Sequence, residues 1–279
     1  MTLRRVVVTG GNTGIGFALC KQLVSEDDCH VYLGARTESK GVEAVNSIKE
    51  EFPSSSIEYL AIDVDDQESV TAAAAATGGG LYALVNNAGI GLAHGVSSES
   101  IVATNFYGAK RVSDAFIPLL TVGGRVVNLG SGAASSYVTG SMMGKPMGSC
   151  TAEEKEALCD SLTTLDKIET VLNREKADNY SVGEHWCAYG LSKAALTAYT
   201  MVQARECPGL VVSVVSPGFI ATKMTAGFNA KLTPEQGTVS IRHALFNVPI
   251  EKSGFYWGSD AKRSPLDCGR DPGEPEYDP

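Results

Sequence analysis

Residues 6–16 read VVVTGGNTGIG, a run of valines that passes through glycines into an apolar stretch. The valines indicate a buried strand, and residues 15–26 carry apolar side chains at helical spacing. Gly10, Gly14 and Gly16 stand between the two elements, where glycine permits a tight turn and lets backbone N–H groups approach a pyrophosphate. An ordinary strand–helix turn is the alternative. Because a second predicted strand follows the helix, we favour a dinucleotide-binding unit.

The rest of the chain repeats this alternation of short apolar runs and amphipathic stretches, such as the helical pattern over 38–52. The predicted strands lie at 4–10, 30–35, 57–64, 83–89, 124–131, 210–218 and 254–257. Strands this apolar have to be covered on both faces, which is typical of a parallel sheet with helices on each side. The predicted fold class is therefore α/β, a doubly wound parallel sheet of the Rossmann type.

We expect one domain over residues 1–262, with two departures from the regular alternation. Residues 132–188 form an insertion in which Thr151 and Glu154 have the spacing of a capping box, and leucines follow at helical spacing. The insertion is therefore expected to hold one or two helices. Residues 263–279 are acidic and rich in proline, so we expect a poorly ordered tail.

Composition excludes several classes of protein. A net charge of −9 argues against nucleic acid as a partner, and no apolar run reaches the length of a membrane-spanning helix. The N-terminus lacks the pattern of a signal peptide. The seven cysteines are scattered without metal-binding spacing, which favours reduced thiols and no metal site. These observations predict a cytoplasmic protein.

The end of the second strand indicates which dinucleotide is bound. NAD enzymes usually have an acid there that holds the ribose 2′-hydroxyl, but positions 34 and 35 hold none and Arg36 follows. An arginine suits a 2′-phosphate, and Thr13 adds a hydroxyl donor. A solvated arginine is the alternative. We expect NADP(H) as the cofactor.

A set of short motifs, taken together, resembles the short-chain dehydrogenase/reductase family over residues 4 to about 258. The motifs occur in the order of that family: TGGNTGIG (9–16), DV (63–64), NNAG (86–89), TNFYG (104–108), NLGS (128–131), YGLSK (189–193) and PGFIAT (217–222). The resemblance implies an NADP-dependent oxidoreductase that acts on CH–OH or C=O groups.

The resemblance also implies a catalytic set made of Asn105, Ser131, Tyr189 and Lys193. Tyr189 would donate a proton in carbonyl reduction, Ser131 would bind the substrate carbonyl, and Asn105 would hold a water of a proton relay. Lys193 lies one helical turn after Tyr189, and a cation there favours the phenolate and lowers the pKa of the tyrosine. An exposed helical pair is the alternative for Tyr189 and Lys193.

The remaining implied positions would hold the cofactor between the glycine turn and the end of the sixth strand. The full implied set is Gly10, Asn12, Thr13, Gly14, Ile15, Gly16, Arg36, Asp63, Val64, Asn86, Ala88, Gly89, Tyr189, Lys193, Pro217, Gly218, Ile220 and Thr222. Asp63 and Val64 would border the adenine. The nicotinamide and its phosphate would be covered by Pro217, Gly218, Ile220 and Thr222.

The insertion before the tyrosine motif narrows the resemblance to the carbonyl-reductase-like, largely monomeric branch. The 57 residues between Ser131 and Tyr189 are more than most members have. Such a segment can cover helices that other members use to pair subunits, and covering an apolar patch removes the drive to dimerise. We therefore expect a monomer.

The predicted function is an NADPH-dependent carbonyl reductase that transfers hydride to an aldehyde, ketone or quinone. One alternative is a biosynthetic ketoreductase or alcohol dehydrogenase with one dedicated substrate. An alternative from another class is a catalytically silent NADP(H)-sensing binding protein, because a fold by itself does not fix a function. Such a sensor would not need all four catalytic residues, and all four are present.

Overall fold

Seven parallel strands form the central sheet of the computed structural model, which describes residues 3–91, 96–142, 145–146, 150–177 and 185–278. The strands are β1 (Arg4–Val8), β2 (Cys29–Ala35), β3 (Ser56–Ala61), β4 (Leu81–Asn86), β5 (Leu120–Leu129), β8 (Val211–Val215) and β9 (Tyr256–Trp257), and a separate antiparallel pair joins β6 (Ser141–Met142) to β7 (Lys145–Pro146). Their order in the sheet is β3-β2-β1-β4-β5-β8-β9, with every pairing parallel.

Helices cover both faces of this sheet. They are α1 (Gly14–Ser25), α2 (Glu38–Glu51), α3 (Gln67–Thr77), α4 (Ser98–Val102), α5 (Ala109–Phe116), α6 (Gly132–Thr139), α7 (Ala152–Cys159), α8 (Leu165–Ala177), α9 (His185–Glu206) and α10 (Val239–Phe246). The apolar side chains of α1, α2 and α10 pack on one face, and those of α3, α5 and α9 pack on the other. Because the central strands are buried on both sides, their near-continuous apolar sequence is explained. The predicted doubly wound α/β fold is confirmed.

The insertion folds as helices that pack on α9. The capping box begins α7: the backbone N–H of Glu154 donates to Thr151 Oγ1 at 3.2 Å, and its carboxylate accepts from the backbone N–H of Thr151 at 2.8 Å. Leu158 and Ile168 are fully buried against α9. The side chain of Arg205, near the end of α9, donates to the backbone carbonyls of Ser161 and Thr163. The insertion is therefore part of the same core.

The acidic tail differs from expectation. Leu266 is buried in the core that holds the insertion helices, and the backbone carbonyl of Pro265 accepts a hydrogen bond from Ser135 in α6 at 3.3 Å. The buried guanidinium of Arg270 forms an ion pair with Asp260. The tail thus has defined partners at Pro265, Leu266 and Arg270, where a poorly ordered segment was expected. The acidic composition of the tail gave no sign of the buried Leu266 or of the ion pair between Arg270 and Asp260.

None of the helices within the described residues combines the length and the apolar character needed to cross a bilayer. All seven cysteines lie in described positions and are free.

Candidate active site

A cleft of about 410 Å³ lies at the carboxyl ends of β1 to β5, where an open parallel sheet binds its ligand. Fourteen of the predicted cofactor-binding residues line it: Gly10, Asn12, Thr13, Gly14, Ile15, Arg36, Asp63, Val64, Ala88, Gly89, Tyr189, Lys193, Pro217 and Thr222. The strand order β3-β2-β1-β4-β5-β8 brings these scattered segments to one edge of the sheet.

The glycine turn after β1 is held close to the end of β4. A Cβ added at Gly16 would lie 2.4 Å from Asn87 Nδ2 and 2.4 Å from the backbone carbonyl oxygen of Gly10, so only glycine fits there. Asn87 Nδ2 donates to the backbone carbonyls of Thr9 and Gly10, at 2.7 and 3.1 Å. This packing points the N-terminus of α1, with its positive end, into the cleft.

Tyr189, Lys193 and Ser131 meet at the inner end of the cleft. Tyr189 and Lys193 lie on one face of α9, with Lys193 Nζ 5.8 Å from the centroid of the tyrosine ring. Lys193 is 5 % exposed, and its Nζ donates to the backbone carbonyl of Leu129 at 2.7 Å. Ser131 caps α6 just after β5 and lies beside Tyr189, where its hydroxyl acts to lower the pKa of the phenol. The predicted catalytic groups are therefore assembled around one phenol.

The pKa of Tyr189 differs from the expectation. Burial raises the pKa of Tyr189, and the hydrogen bond from Ser131 opposes this shift only in part. Burial also lowers the pKa of Lys193 to about 8, because the ammonium is removed from water. We had expected Lys193 to lower the pKa of Tyr189 below its usual value. In the protein without a bound cofactor this expectation was wrong, because the effect of burial is larger. A raised phenol pKa keeps Tyr189 protonated at neutral pH, as a proton donor requires.

The depressed pKa of Lys193 predicts a pH-dependent stability. The unfolded lysine binds its proton up to about pH 10.5 and the folded one only to about pH 8, so the free energy of unfolding rises with pH between these values. The gap corresponds to about 3 kcal/mol at 1.36 kcal/mol per pKa unit. We expect Lys193→Met to gain stability relative to wild type at pH 7 and to lose that advantage by pH 10. Urea unfolding of both proteins across this window measures it, and a difference that does not vary with pH would contradict it.

Asn105 lies in a π-helical turn (Ala103–Gly108) between α4 and α5 and is 1 % exposed. Its Oδ1 accepts the backbone N–H of Ile90 at 2.8 Å, while its Nδ2 donates to the Ile90 carbonyl at 2.9 Å and to Ser192 Oγ at 3.1 Å. The side-chain amide thus fixes the segment after β4 against α9. The expected role of Asn105 in holding a water stays a prediction.

Gly91 packs against the ring of Tyr189. A Cβ at this position would lie 2.4 Å from Cδ2 and 2.9 Å from Cε2 of the tyrosine, so an alanine would displace the ring from Ser131. We expect Gly91→Ala to lower kcat by about 10- to 100-fold, because small displacements of a reacting group cost rates of this order. Steady-state kinetics with NADPH test this. Gly132→Ala is the matched control, since a Cβ there would meet no atom within 4 Å, and equal activities of both variants would contradict the prediction.

Two cations line the opposite end of the cleft. Arg36 follows β2 as predicted, and Lys40 lies one helical turn later in the first turns of α2. Both residues line the cleft, Arg36 from just before α2 and Lys40 from its first turn. This end of the cleft is therefore suited to an anionic group.

Four predicted cofactor contacts do not line the cleft: Gly16, Asn86, Gly218 and Ile220. Side chains alternate along a strand, so Asn86 points away and donates to Ser113 Oγ at 2.9 Å and Asn128 Oδ1 at 2.8 Å. Ile220 is 3 % exposed and packs against Gly237. These four residues lie behind the wall of the cleft, and their contact with a cofactor stays a prediction.

Sequence reasoning missed Asn87 and Lys40, which both line the cleft. The available signal for Lys40 was a second cation soon after Arg36, at the start of the predicted helix. For Asn87 the signal was strand alternation, which places Asn86 and Asn87 on opposite sides. Residues 92–95, which follow the part of the cleft formed after β4, lie outside the described residues.

Known proteins resemble the chain over most of its length. The model of the short chain dehydrogenase family matches residues 4–143. The chain is 33 % identical to (+)-neomenthol dehydrogenase of Arabidopsis thaliana, over 92 % of this chain and 96 % of that protein. It is 30 % identical to carbonyl reductase (NADPH) 1 of Rattus norvegicus, over 83 % and 86 %.

A solved structure with a similar fold is that of salutaridine reductase from Papaver somniferum, with a TM-score of 0.77 and 29 % identity, over 91 % of this chain and 99 % of that one. Fold, cleft and relatives agree with the motifs, so the predicted family is confirmed. The chain belongs to the short chain dehydrogenase family and is an oxidoreductase that acts on CH–OH or C=O groups.

Proposed function

We propose that this protein is an NADPH-dependent carbonyl reductase that uses Tyr189 as its proton donor. The observation that carries the proposal is the position of Tyr189, which lines the cleft beside Ser131 and has Lys193 over its ring. Lys193 and Asn105 hold the same region from α9 and from the π-helical turn. This arrangement suits reduction of an aldehyde, ketone or quinone.

The residues of the cleft fit NADP(H). The turn that holds Gly16 has no room for a Cβ and leaves the N-terminus of α1 beside the cleft, which suits a pyrophosphate. Arg36 and Lys40 at the far end suit a 2′-phosphate, since guanidinium and ammonium groups form charge-assisted hydrogen bonds with phosphate oxygens. Asp63 and Val64 would border the adenine, and Pro217 and Thr222 would cover the nicotinamide.

The protein's own groups supply proton transfer and orientation. NADPH, when bound, supplies the hydride. The Ser131 hydroxyl orients the substrate carbonyl, and the phenol of Tyr189 donates its proton to the oxygen as negative charge develops there. Lys193, anchored on the carbonyl of Leu129, stands over the tyrosine ring and stabilises the phenolate that remains.

The alternative is a ketoreductase or alcohol dehydrogenase with one dedicated substrate. Two of the similar proteins, neomenthol dehydrogenase and salutaridine reductase, are named for a single compound. Phe219 and Leu232 are large apolar side chains that are 40 % and 38 % exposed. Phe219 lies between Pro217 and Thr222, which line the cleft, and Leu232 pairs with Ile220 of the same segment. This apolar rim favours a substrate with an apolar body.

The test is cofactor fluorescence with NADPH and NADH, followed in the same sample by a panel of aldehydes, ketones and quinones. We expect tighter binding of NADPH and its oxidation once a carbonyl compound is added. Turnover of only one bulky apolar ketone would favour the dedicated enzyme. Equal affinity for both nucleotides, with no oxidation by any compound, would contradict the proposal.

We also propose that the protein is a monomer. The insertion helices α7 and α8 pack on α9, and Lys176 of α8 forms an ion pair with Glu99 of α4 at 2.7 Å. The insertion thus covers apolar surface of α9 that would otherwise favour self-association. Light scattering at increasing concentration should give the mass of one chain, and a dimer whose mass does not depend on concentration would contradict this.

The proposed compartment is the cytoplasm. All seven cysteines are free, and burial raises the pKa of Cys29 and of Cys159 to about 12. Thiols that stay reduced and unreactive fit a reducing compartment.

A further inference from the structure

A network of buried amides lies behind the cleft, between β4, β5 and α9. Asn86 Nδ2 donates to Asn128 Oδ1 at 2.8 Å, and Asn128 Nδ2 donates to Thr200 Oγ1 at 2.9 Å and to Gln203 Oε1 at 2.8 Å. Asn128 and Thr200 are fully buried, while Asn86 and Gln203 are 4 % and 2 % exposed. None of the four side chains lines the cleft.

The network joins the elements that carry the catalytic groups. Asn86 and Asn128 are register partners on adjacent strands, and Asn128 precedes Leu129, whose carbonyl holds Lys193. Thr200 and Gln203 follow Lys193 by 7 and 10 residues, which places them on the same side of α9. Two sets of hydrogen bonds thus join α9 to β5. One is formed by Lys193 with the Leu129 carbonyl, and the other by Asn128 with Thr200 and Gln203.

Stability alone does not explain why amides occupy this place. Apolar side chains such as Val126 and Val212 fill the neighbouring positions on the same face of the sheet. Buried amides bring less stability than apolar side chains of similar size, and Asn86 Oδ1 has no hydrogen-bond partner within the described residues. Amide hydrogen bonds are directional, however, and they allow only one register between a helix and a strand.

We propose that the Asn86–Asn128–Gln203 network, with Thr200, positions Lys193 and Tyr189 against the end of β5. These residues are positioning residues, because they touch neither the cleft nor the reacting groups. The inference rests on the proposed function for its kinetic part. Its structural part concerns the position of Lys193 against the Leu129 carbonyl, which can be measured without turnover.

The decisive variant is Asn128→Leu/Gln203→Leu, which replaces both partners with apolar side chains of similar size. Exchanging both partners leaves fewer buried groups unsatisfied than exchanging one, so the double variant is expected to fold. We expect kcat to fall at least about tenfold, because the reacting groups lose their fixed geometry, with the dissociation constant of NADPH changed less than about threefold.

A second readout needs no turnover. In protein labelled with ¹³C at the lysine ε-carbons, the resonance that Lys193→Met removes reports the pKa of Lys193. The groups that face this ammonium are the Tyr189 ring and the Leu129 carbonyl. The hydrogen bond to the Leu129 carbonyl stabilises the protonated form of Lys193. If the double variant weakens this bond, the pKa of Lys193 should fall further.

Two further variants complete the experiment. Ser213→Ala removes a buried hydroxyl of β8 that lies on the opposite face of the sheet, where its register partner Val127 packs in another core. It should leave kcat and the Lys193 resonance unchanged. If the double variant does not fold, Thr200→Val serves as a milder substitution in the same network. We expect it to lower kcat about threefold.

The outcomes separate the two proposals. A folded double variant with wild-type kcat and an unchanged Lys193 titration would overturn the positioning role. A wild-type protein that reduces no carbonyl compound would overturn the proposed function, while the Lys193 titration would still decide the inference. A loss in Ser213→Ala equal to that in the double variant would also overturn it, because the effect would then follow from any change in the core.

Discussion

Tyr189→Phe is expected to lower carbonyl-dependent oxidation of NADPH by at least about 1000-fold, within the range that general acids contribute. The substitution removes only the phenol oxygen of a residue that lines the cleft beside Ser131. Phenylalanine keeps the ring that packs against Gly91, so the affinity for NADPH should stay within about threefold. Steady-state kinetics and cofactor fluorescence measure the two effects separately.

The matched control is Tyr137→Phe on α6. Tyr137 is 2 % exposed, and its hydroxyl has no hydrogen-bond partner within the described residues, so removing it takes nothing from the cleft. We expect wild-type activity from this control. Near-normal turnover in Tyr189→Phe would mean that another group delivers the proton, and the proposed mechanism would be wrong.

Arg36→Asp should shift the preference between NADPH and NADH by about 100-fold or more toward NADH. A hydrogen bond to a charged group contributes about 1.5–3 kcal/mol, and the new carboxylate adds repulsion of the 2′-phosphate. Every 1.4 kcal/mol changes a binding constant about tenfold. The ratio of kcat/KM for the two nucleotides measures the shift.

Lys49→Asp is the control for this charge reversal, since Lys49 is exposed in the last turn of the same helix. It should leave the ratio unchanged. An unchanged ratio in Arg36→Asp as well would mean that the 2′-phosphate, if bound, is held by Lys40 or by another cation.

Much of the fold follows from short-range patterns in the sequence. Valine-rich runs that end in glycine or asparagine predicted strands whose carboxyl ends meet at one edge, and the structure places the glycine turn, Arg36 and Tyr189 at that edge. The capping box of Thr151 and Glu154 predicted the start of α7. These signals are local, and the strand order of a doubly wound sheet brings them together.

The features that the sequence did not predict depend on contacts between distant segments. Nothing local to Asn128 shows that its amide meets Gln203, and nothing local to Lys193 shows that its ammonium reaches the Leu129 carbonyl. The raised pKa of Tyr189 follows from burial, which motif spacing does not measure. The contacts of the tail were not predicted because Leu266 and Arg270 find their partners only in the folded chain.

Transfer of deuterium tests the central claim most directly. NADPH that carries deuterium at the transferable position of the nicotinamide is mixed with the protein and a carbonyl compound that the panel has identified, and the alcohol is examined by mass spectrometry and NMR. We predict one deuterium on the carbinol carbon of the product with the wild-type protein and no product with Tyr189→Phe. An alcohol without deuterium, or labelled alcohol formed equally well by Tyr189→Phe, would contradict the account.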